Sequence, residues 1–210
     1  MVWCEARRFR KFARIVDQPM IKIGLTGSIG MGKTTTAGIF VKHGCALWDA
    51  DKTVHKLYSK GGIAVKAVSK LFPTSVENGS ISRNKLKVLL KEKPEKLKEL
   101  EKIVHPLIQA DRQDFQNQNI ADIAVFDIPL LFETGLDKEM DKTVCVFTSA
   151  KNQIERLKKR TDNSDNYYKE LISKQMPSEE KCKLSDFTIE TTSHEMVEEK
   201  VMEILNMLRV

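Results

Sequence analysis

Five short apolar runs punctuate the chain, at 21–25, 46–48, 123–126, 143–147 and 186–189. They predict the strands of a buried parallel sheet. Helical stretches separate them, the pattern of a doubly wound α/β fold: a five-stranded parallel sheet flanked by helices. Thr34 to His43 reads as the first helix, with Gly44 placed to stop it. Thr192-Ser193-His194-Glu195 opens a last helix in capping-box fashion. Val197, Val201, Ile204, Leu205 and Leu208 form its apolar stripe.

Two stretches exceed what this alternation needs. Residues 52–119, between the second and third strands, are mostly helical, with breaks at Gly61-Gly62, Pro73 with Asn78-Gly79, Pro94 and Pro106. That is too much chain for one crossover helix and predicts a helical subdomain beside the sheet. Residues 151–183 are very polar, with a loop-like Thr161-Asp162-Asn163-Ser164-Asp165, and predict a helical hairpin projecting from the core. Core segments are then 20–51, 120–150 and 184–210. Residues 1–19 precede the first strand without a periodic apolar face. They are expected to be a flexible or loosely docked extension.

The turn between the first strand and first helix carries the chemistry. Gly27-Ser28-Ile29-Gly30-Met31-Gly32-Lys33-Thr34 has the form G-x-x-x-x-G-K-T, a phosphate-binding loop. Its glycines let backbone N–H groups close around phosphate oxygens, and the helix start adds its positive dipole end. Gly30, Met31, Gly32, Lys33, Thr34 and Thr35 are therefore the candidate nucleotide-binding residues. Lys33 can reach the β- and γ-phosphates, and the Thr34 hydroxyl can hold Mg2+.

Charge changes this picture little. The formal charge is +6, but residues 1–19 hold five basic against two acidic side chains, half of that total. The other lysines are scattered among glutamates on helical stretches, as solvated faces. An anionic substrate accounts for the excess as well as nucleic acid would, so no nucleic-acid partner is expected. No apolar run reaches the length of a membrane span. The four cysteines form no C-x-x-C pair, which fits a reducing, cytoplasmic compartment.

Phosphoryl transfer also needs a base or positioner, a metal carboxylate and cations. The second strand ends in Asp49-Ala50-Asp51, at the end of the sheet where open α/β folds bind ligands. If the chain stays extended there, both carboxylates point to one side. One would orient or deprotonate a hydroxyl acceptor; alternatively, Asp51 caps a helix starting at Lys52. The third strand ends in Asp127, either a metal-binding carboxylate or a cap before Pro129. His105 carries a weak signal. Arg156 and Arg160 stand four apart on one helix face, as transition-state cations or as a solvated basic face.

These motifs together resemble the bacterial-type dephospho-coenzyme A kinases. The resemblance runs through Gly24–Thr34, Trp48-Asp49-Ala50-Asp51, Val104-His105-Pro106-Leu107, Asp127-Ile128-Pro129-Leu130-Leu131-Phe132-Glu133, Arg156 with Arg160, Gln175-Met176-Pro177 with Lys181, and Ser185-Asp186-Phe187. It implies a phosphate-loop kinase of the nucleoside-monophosphate-kinase fold. The substrates would be ATP and dephospho-coenzyme A, the cofactor Mg2+, and the product a 3′-phosphorylated ribose. It implies that residues 52–119 bind coenzyme A and 151–183 form a lid. Asp51 becomes the general base, Lys33 the phosphate contact, Thr34 with Asp127 the metal site, and Arg160 with Arg156 the lid cations. Asp49, His105, Pro129, Leu130 and Leu131 would lie near the acceptor. The family's I-D-N-x-G-like turn reads Ile189-Glu190-Thr191-Thr192-Ser193 here, which leaves the adenine contacts of ATP undefined.

Other readings compete with this one. Another small-molecule or nucleoside kinase of the same fold would share the loop but not the D-A-D and H-P motifs. A GTP-dependent switch would need a guanine-reading Asn-Lys-x-Asp. The only Asn-Lys, Asn84-Lys85, lies in the helical insert. Oligomeric state has no signature in the sequence.

Overall fold

The computed structural model describes residues 19–160, 172–173 and 175–209. Residues 1–18, and with them nearly all of the expected extension, lie outside the described residues. So does most of the centre of the expected projecting hairpin.

Five strands, β1 (Ile21–Thr26), β2 (Ala46–Asp49), β5 (Ile123–Asp127), β6 (Lys142–Phe147) and β7 (Phe187–Glu190), make one parallel sheet in the order β2-β5-β1-β6-β7. All five stand where the apolar runs place them, to within a residue at each end. Every residue of β5 is buried, as a strand covered on both faces requires. The chain leaves β1 toward one edge and returns to the other side of it later, so the crevice at the carboxyl ends of β1 and β5 is a topological switch point.

Helices α1 (Lys33–Lys42) and α8 (His194–Leu208) cover one face, around Ile23, Leu25, Phe40, Val144 and Val201. Gly44, with φ 89°, follows α1 and ends it as the sequence predicts. Ser193 caps α8 by accepting the Met196 N–H at 3.2 Å. On the other face, Trp48, Phe126, Ile128 and Leu131 pack with Phe115 of α5 (Leu97–Gln118).

Residues 50–118 form a layer with its own core of Leu57, Val68, Phe72, Leu86, Leu100 and Val104. Its elements are α2 (Ala50–Tyr58), α3 (Val65–Leu71), the hairpin β3 (Val76–Glu77) and β4 (Ser80–Ile81), α4 (Arg83–Glu92) and α5. Two details depart from the sequence reading. Asn78-Gly79 is more than a break: both residues have positive φ, 50° and 80°, and they turn the hairpin. Pro106 does not end a helix, since α5 runs through it for 22 residues. Packing of Leu100 and Val104 before it and Phe115 after it outweighs the one lost backbone bond.

The polar stretch after β6 contributes α6 (Ala150–Arg160) and α7 (Ser178–Leu184). Lys181 of α7 is fully buried. Its ammonium donates to the Pro129 carbonyl at 2.7 Å and pairs with Glu133 Oε1 at 2.8 Å. The same carboxylate oxygen accepts the Met176 N–H at 3.0 Å. Burial opposes ionisation of Glu133, but the Lys181 and backbone hydrogen bonds outweigh it and hold this carboxyl below its usual range. The strut thus fixes α7 to the turn after β5. Beside it, Cys182 and Cys145 bring free thiols to 3.2 Å, although they stand far apart in the chain.

Lys181→Met keeps the volume but leaves the Glu133 carboxylate without its cation and the Pro129 carbonyl with the Thr26 hydroxyl, at 3.1 Å, as its remaining donor. Breaking such a partly buried, charge-assisted pair costs about 1–3 kcal/mol, so Tm should fall by about 2–12 °C. Differential scanning calorimetry measures this; an unchanged Tm would show that the strut contributes nothing to folding.

Candidate active site

The loop between β1 and α1 is shaped by glycine. Gly32 has φ 92°, and a Cβ there would sit 2.9 Å from Thr191 Oγ1. Gly30 has φ 79° and lies against α6, where a Cβ would be 3.2 Å from the Gln153 carbonyl oxygen. Any larger residue would both strain the backbone and push the loop off its neighbours.

Those neighbours come from the far end of the chain. Gln153 Nε2 donates to the Ile29 carbonyl at 2.7 Å, and the Ile29 N–H donates to Gln175 Oε1 at 3.0 Å. Thr191 Oγ1 is 2.8 Å from the Met31 carbonyl, to which it donates, and accepts from Arg156 Nη1 at 2.8 Å. A second guanidinium nitrogen of Arg156 donates to the Thr191 carbonyl. The loop is therefore clamped by α6, by residue 175 and by the end of β7. Arg156, expected over the phosphates, is engaged on Thr191 instead. Thr191 stands where the sequence departs from the family's Asn, which was the one signal that this position matters. The Arg160 side chain lies outside the described residues.

At the carboxyl end of the sheet, Lys33 forms an ion pair and hydrogen bond with Asp127. Strand register puts Asp49 of β2 directly beside Asp127 of β5, with neighbouring strands about 4.8 Å apart. Burial is the largest influence on Asp127 and raises its pKa; Lys33 pulls it down, and Asp49 and Asp51 push it up again. The balance leaves this carboxyl above its usual range.

The D-A-D segment folds differently from the extended expectation. The strand ends at Asp49, whose Oδ1 accepts the Lys52 N–H at 2.9 Å and caps α2. Asp49, not Asp51, is the cap, and the helix starts at Ala50. Two-residue alternation therefore does not orient the pair. Asp51 sits in the first helical turn, exposed, with Arg83 Nη2 at 3.7 Å.

A cleft of about 940 Å³ opens beside these groups. Its walls are the loop from Gly27 to Thr34, Asp51 and Val54 of α2, His105 and Arg112 of α5, and Pro129 and Leu130. That size suits a nucleotide-sized ligand. Leu131 belongs elsewhere: it is fully buried in the core and does not line the cleft. It fills the space over Gly24, where a Cβ would meet Leu131 Cδ2 at 2.8 Å. Thr34 and Thr35 are exposed at the start of α1. Among the described residues, no group of three or more His, Cys, Asp or Glu could hold a metal ion, and no helix is long and apolar enough to cross a membrane.

The arrangement can bind phosphates, supply the Lys33 cation and present the Asp51 carboxylate to an acceptor. Comparison with known proteins agrees. Residues 21–196 match the family model described as dephospho-CoA kinase. The dephospho-CoA kinase of Ruegeria pomeroyi is 47% identical over 188 residues, covering 90% of this chain and 95% of that protein. A crystal structure from Thermus thermophilus superposes with a TM-score of 0.83 at 28% identity, over 92% of this chain and all of that one (100%). The dephospho-CoA kinase structure from Campylobacter jejuni gives 0.64 at 26% identity, over 89% and 96%.

If Lys33 serves the ligand, Lys33→Met should lower kcat by about 100- to 1,000-fold while one cooperative unfolding transition remains. Steady-state kinetics and a melting curve on the same sample check this. Near-normal turnover in the folded variant would remove Lys33 from the site.

Proposed function

The chain belongs to the dephospho-CoA kinase family, and we propose from that premise that it transfers the γ-phosphoryl group of ATP to the ribose 3′-hydroxyl of dephospho-coenzyme A. The products are ADP and coenzyme A, which makes this the last step of coenzyme A biosynthesis. The observation that carries the reading is that the phosphate-binding loop, with Lys33 paired to the buried Asp127 behind it, and Asp51 line the same cleft of about 940 Å³.

In this reading the ATP phosphates occupy the loop, and Lys33 exchanges part of its contact with Asp127 for the β- and γ-phosphates. The Thr34 hydroxyl and the Asp127 carboxylate, both hard oxygen donors, suit a Mg2+ carried in with the nucleotide. Bound there, the ion would neutralise developing phosphate charge. Asp49 and Asp51 add negative charge beside Asp127, a field that favours a divalent cation there.

Asp51 faces the cleft from the first turn of α2, which supports its role at the 3′-hydroxyl. It would take the hydroxyl proton as the oxygen bonds to the γ-phosphorus and the bond to the β–γ bridging oxygen breaks. Asp49 serves as cap and charge neighbour. His105, Pro129 and Leu130 line the acceptor side. We assign the acceptor to the layer of residues 52–119 and the role of a lid to 151–183, with Arg160 as its cation. Arg156 would then hold Thr191 and the loop, or swing from it when the lid closes. A cytoplasmic enzyme without a nucleic-acid partner fits the dispersed charge.

The test is acceptor-dependent turnover. ADP release should require dephospho-coenzyme A, and 31P NMR of the product should show a 3′-phosphomonoester. Equal turnover with an unrelated small alcohol would favour the alternative, another small-molecule kinase of this fold. ATP binding without transfer to any acceptor would favour a nucleotide-binding regulator.

Asp51→Asn separates catalysis from binding. General-base contributions amount to about 100- to 10,000-fold, with the low end expected for a loose phosphoryl transition state. The variant should lose kcat on that scale while ATP affinity stays within a few-fold. The helix should persist because Asp49, not Asp51, caps it. A kcat within a few-fold of the parent would assign acceptor positioning to another group.

A further inference from the structure

One guanidinium in the cleft wall carries more donors than the protein meets. Arg112 of α5 is only 5% exposed and lines the cleft. Its Nη2 donates to Glu139 Oε2 at 2.8 Å. Its Nη1 is buried and has no hydrogen-bond partner among the described residues. A guanidinium cannot shed its charge or its donors, and buried polar groups in folded proteins are nearly always paired. A ligand acceptor that reached this guanidinium would pair the unmet donor.

Electrostatics narrows the ligand group. Glu139 lines the same cleft and lies half-exposed beside Arg112, so the pair is close to neutral. A phosphate placed there would meet a guanidinium already offset and a carboxylate next to it. A neutral, flat group with an acceptor and a donor side by side fits better. Val54, Ile108 and Leu136 supply apolar wall near this end. Adenine has this edge: an exocyclic amine that donates, flanked by a ring nitrogen that accepts.

We propose that Arg112 and Glu139 together read the adenine edge of the acceptor nucleotide and so set which nucleotide is phosphorylated. The Glu139 carboxylate accepts from the amine, and the Arg112 guanidinium donates to the ring nitrogen. This rests on the functional reading above and adds two specificity residues to it. Hypoxanthine places a carbonyl oxygen where adenine has the amine, and an N–H facing Arg112 where adenine has the accepting ring nitrogen. That oxygen would face the Glu139 carboxylate.

The test uses the full chain and two acceptors, dephospho-coenzyme A and its hypoxanthine analogue, with affinities from calorimetry and kcat/KM from ADP release. The unmodified chain should prefer the adenine acceptor by about 10- to 100-fold, the scale of one paired base edge. Arg112→Met should weaken the adenine acceptor and shrink that preference to about threefold or less. Glu139→Gln, on an exposed turn, decides the matter even if Arg112→Met does not fold. Its amide can donate to the hypoxanthine oxygen, so the preference should shrink to about threefold or less, although the hypoxanthine N–H still faces Arg112. KM for ATP should stay within about twofold in both variants. Equal affinity of the unmodified chain for the two acceptors, or an undiminished preference in Glu139→Gln, overturns the inference and leaves the kinase reading intact. Binding of neither acceptor overturns the kinase reading, and this inference with it.

Discussion

The Lys33 ammonium rests against the Asp127 carboxylate at the carboxyl end of the sheet, and the surrounding structure is arranged about that contact. Neither group would be placed there for stability alone. Removing two charges from water is expensive, and their mutual attraction repays it only with good geometry. Asp49 and Asp51 add further negative charge nearby, which makes Asp127 harder to keep ionised still. Such an arrangement is useful where an anion and a divalent cation arrive together. The phosphates can then take Lys33, and the cation can take Asp127.

Holding this unit in place falls to elements remote in the chain. β1 and β5 set Leu25 beside Asp127, and β2 adds Asp49 on its other side. The loop above them is clamped through Gln153, Gln175 and Thr191. Lys181 braces the turn after β5 from beneath. The segment after β6 therefore reaches both the phosphate-binding loop and the turn after β5. A change of its position on binding would be felt at both.

The strands were legible because β-branched and aromatic runs of four to six residues leave little else for the chain to do. The phosphate loop was legible because its glycines have a steric reason at fixed spacing. What the sequence concealed were polar residues whose partners lie over a hundred positions away, such as Gln153 on α6. On a polar helix such residues look like any solvated face. Arg112 is the sharpest case: it sits in a polar run of α5 yet is buried, because the cleft wall folds over it. Leu131 shows the opposite error. Its motif suggests a place at the acceptor, but the fold needs it above Gly24. The D-A-D segment was recognised, while its geometry was not, because the strand yields to helix at Ala50.

Lys33 and the carboxylates at the sheet edge behave as one charge-coupled unit. The most direct measurement is the titration of the Asp127 carboxyl, followed by 13C NMR in the free protein and in Lys33→Met. In the free protein Asp127 should titrate above the usual aspartate range, since burial and its two acidic neighbours outweigh Lys33. In Lys33→Met the one stabilising cation is gone, so the midpoint should move higher still. An Asp127 that titrates at an ordinary value, and does not move when Lys33 is removed, would contradict the account.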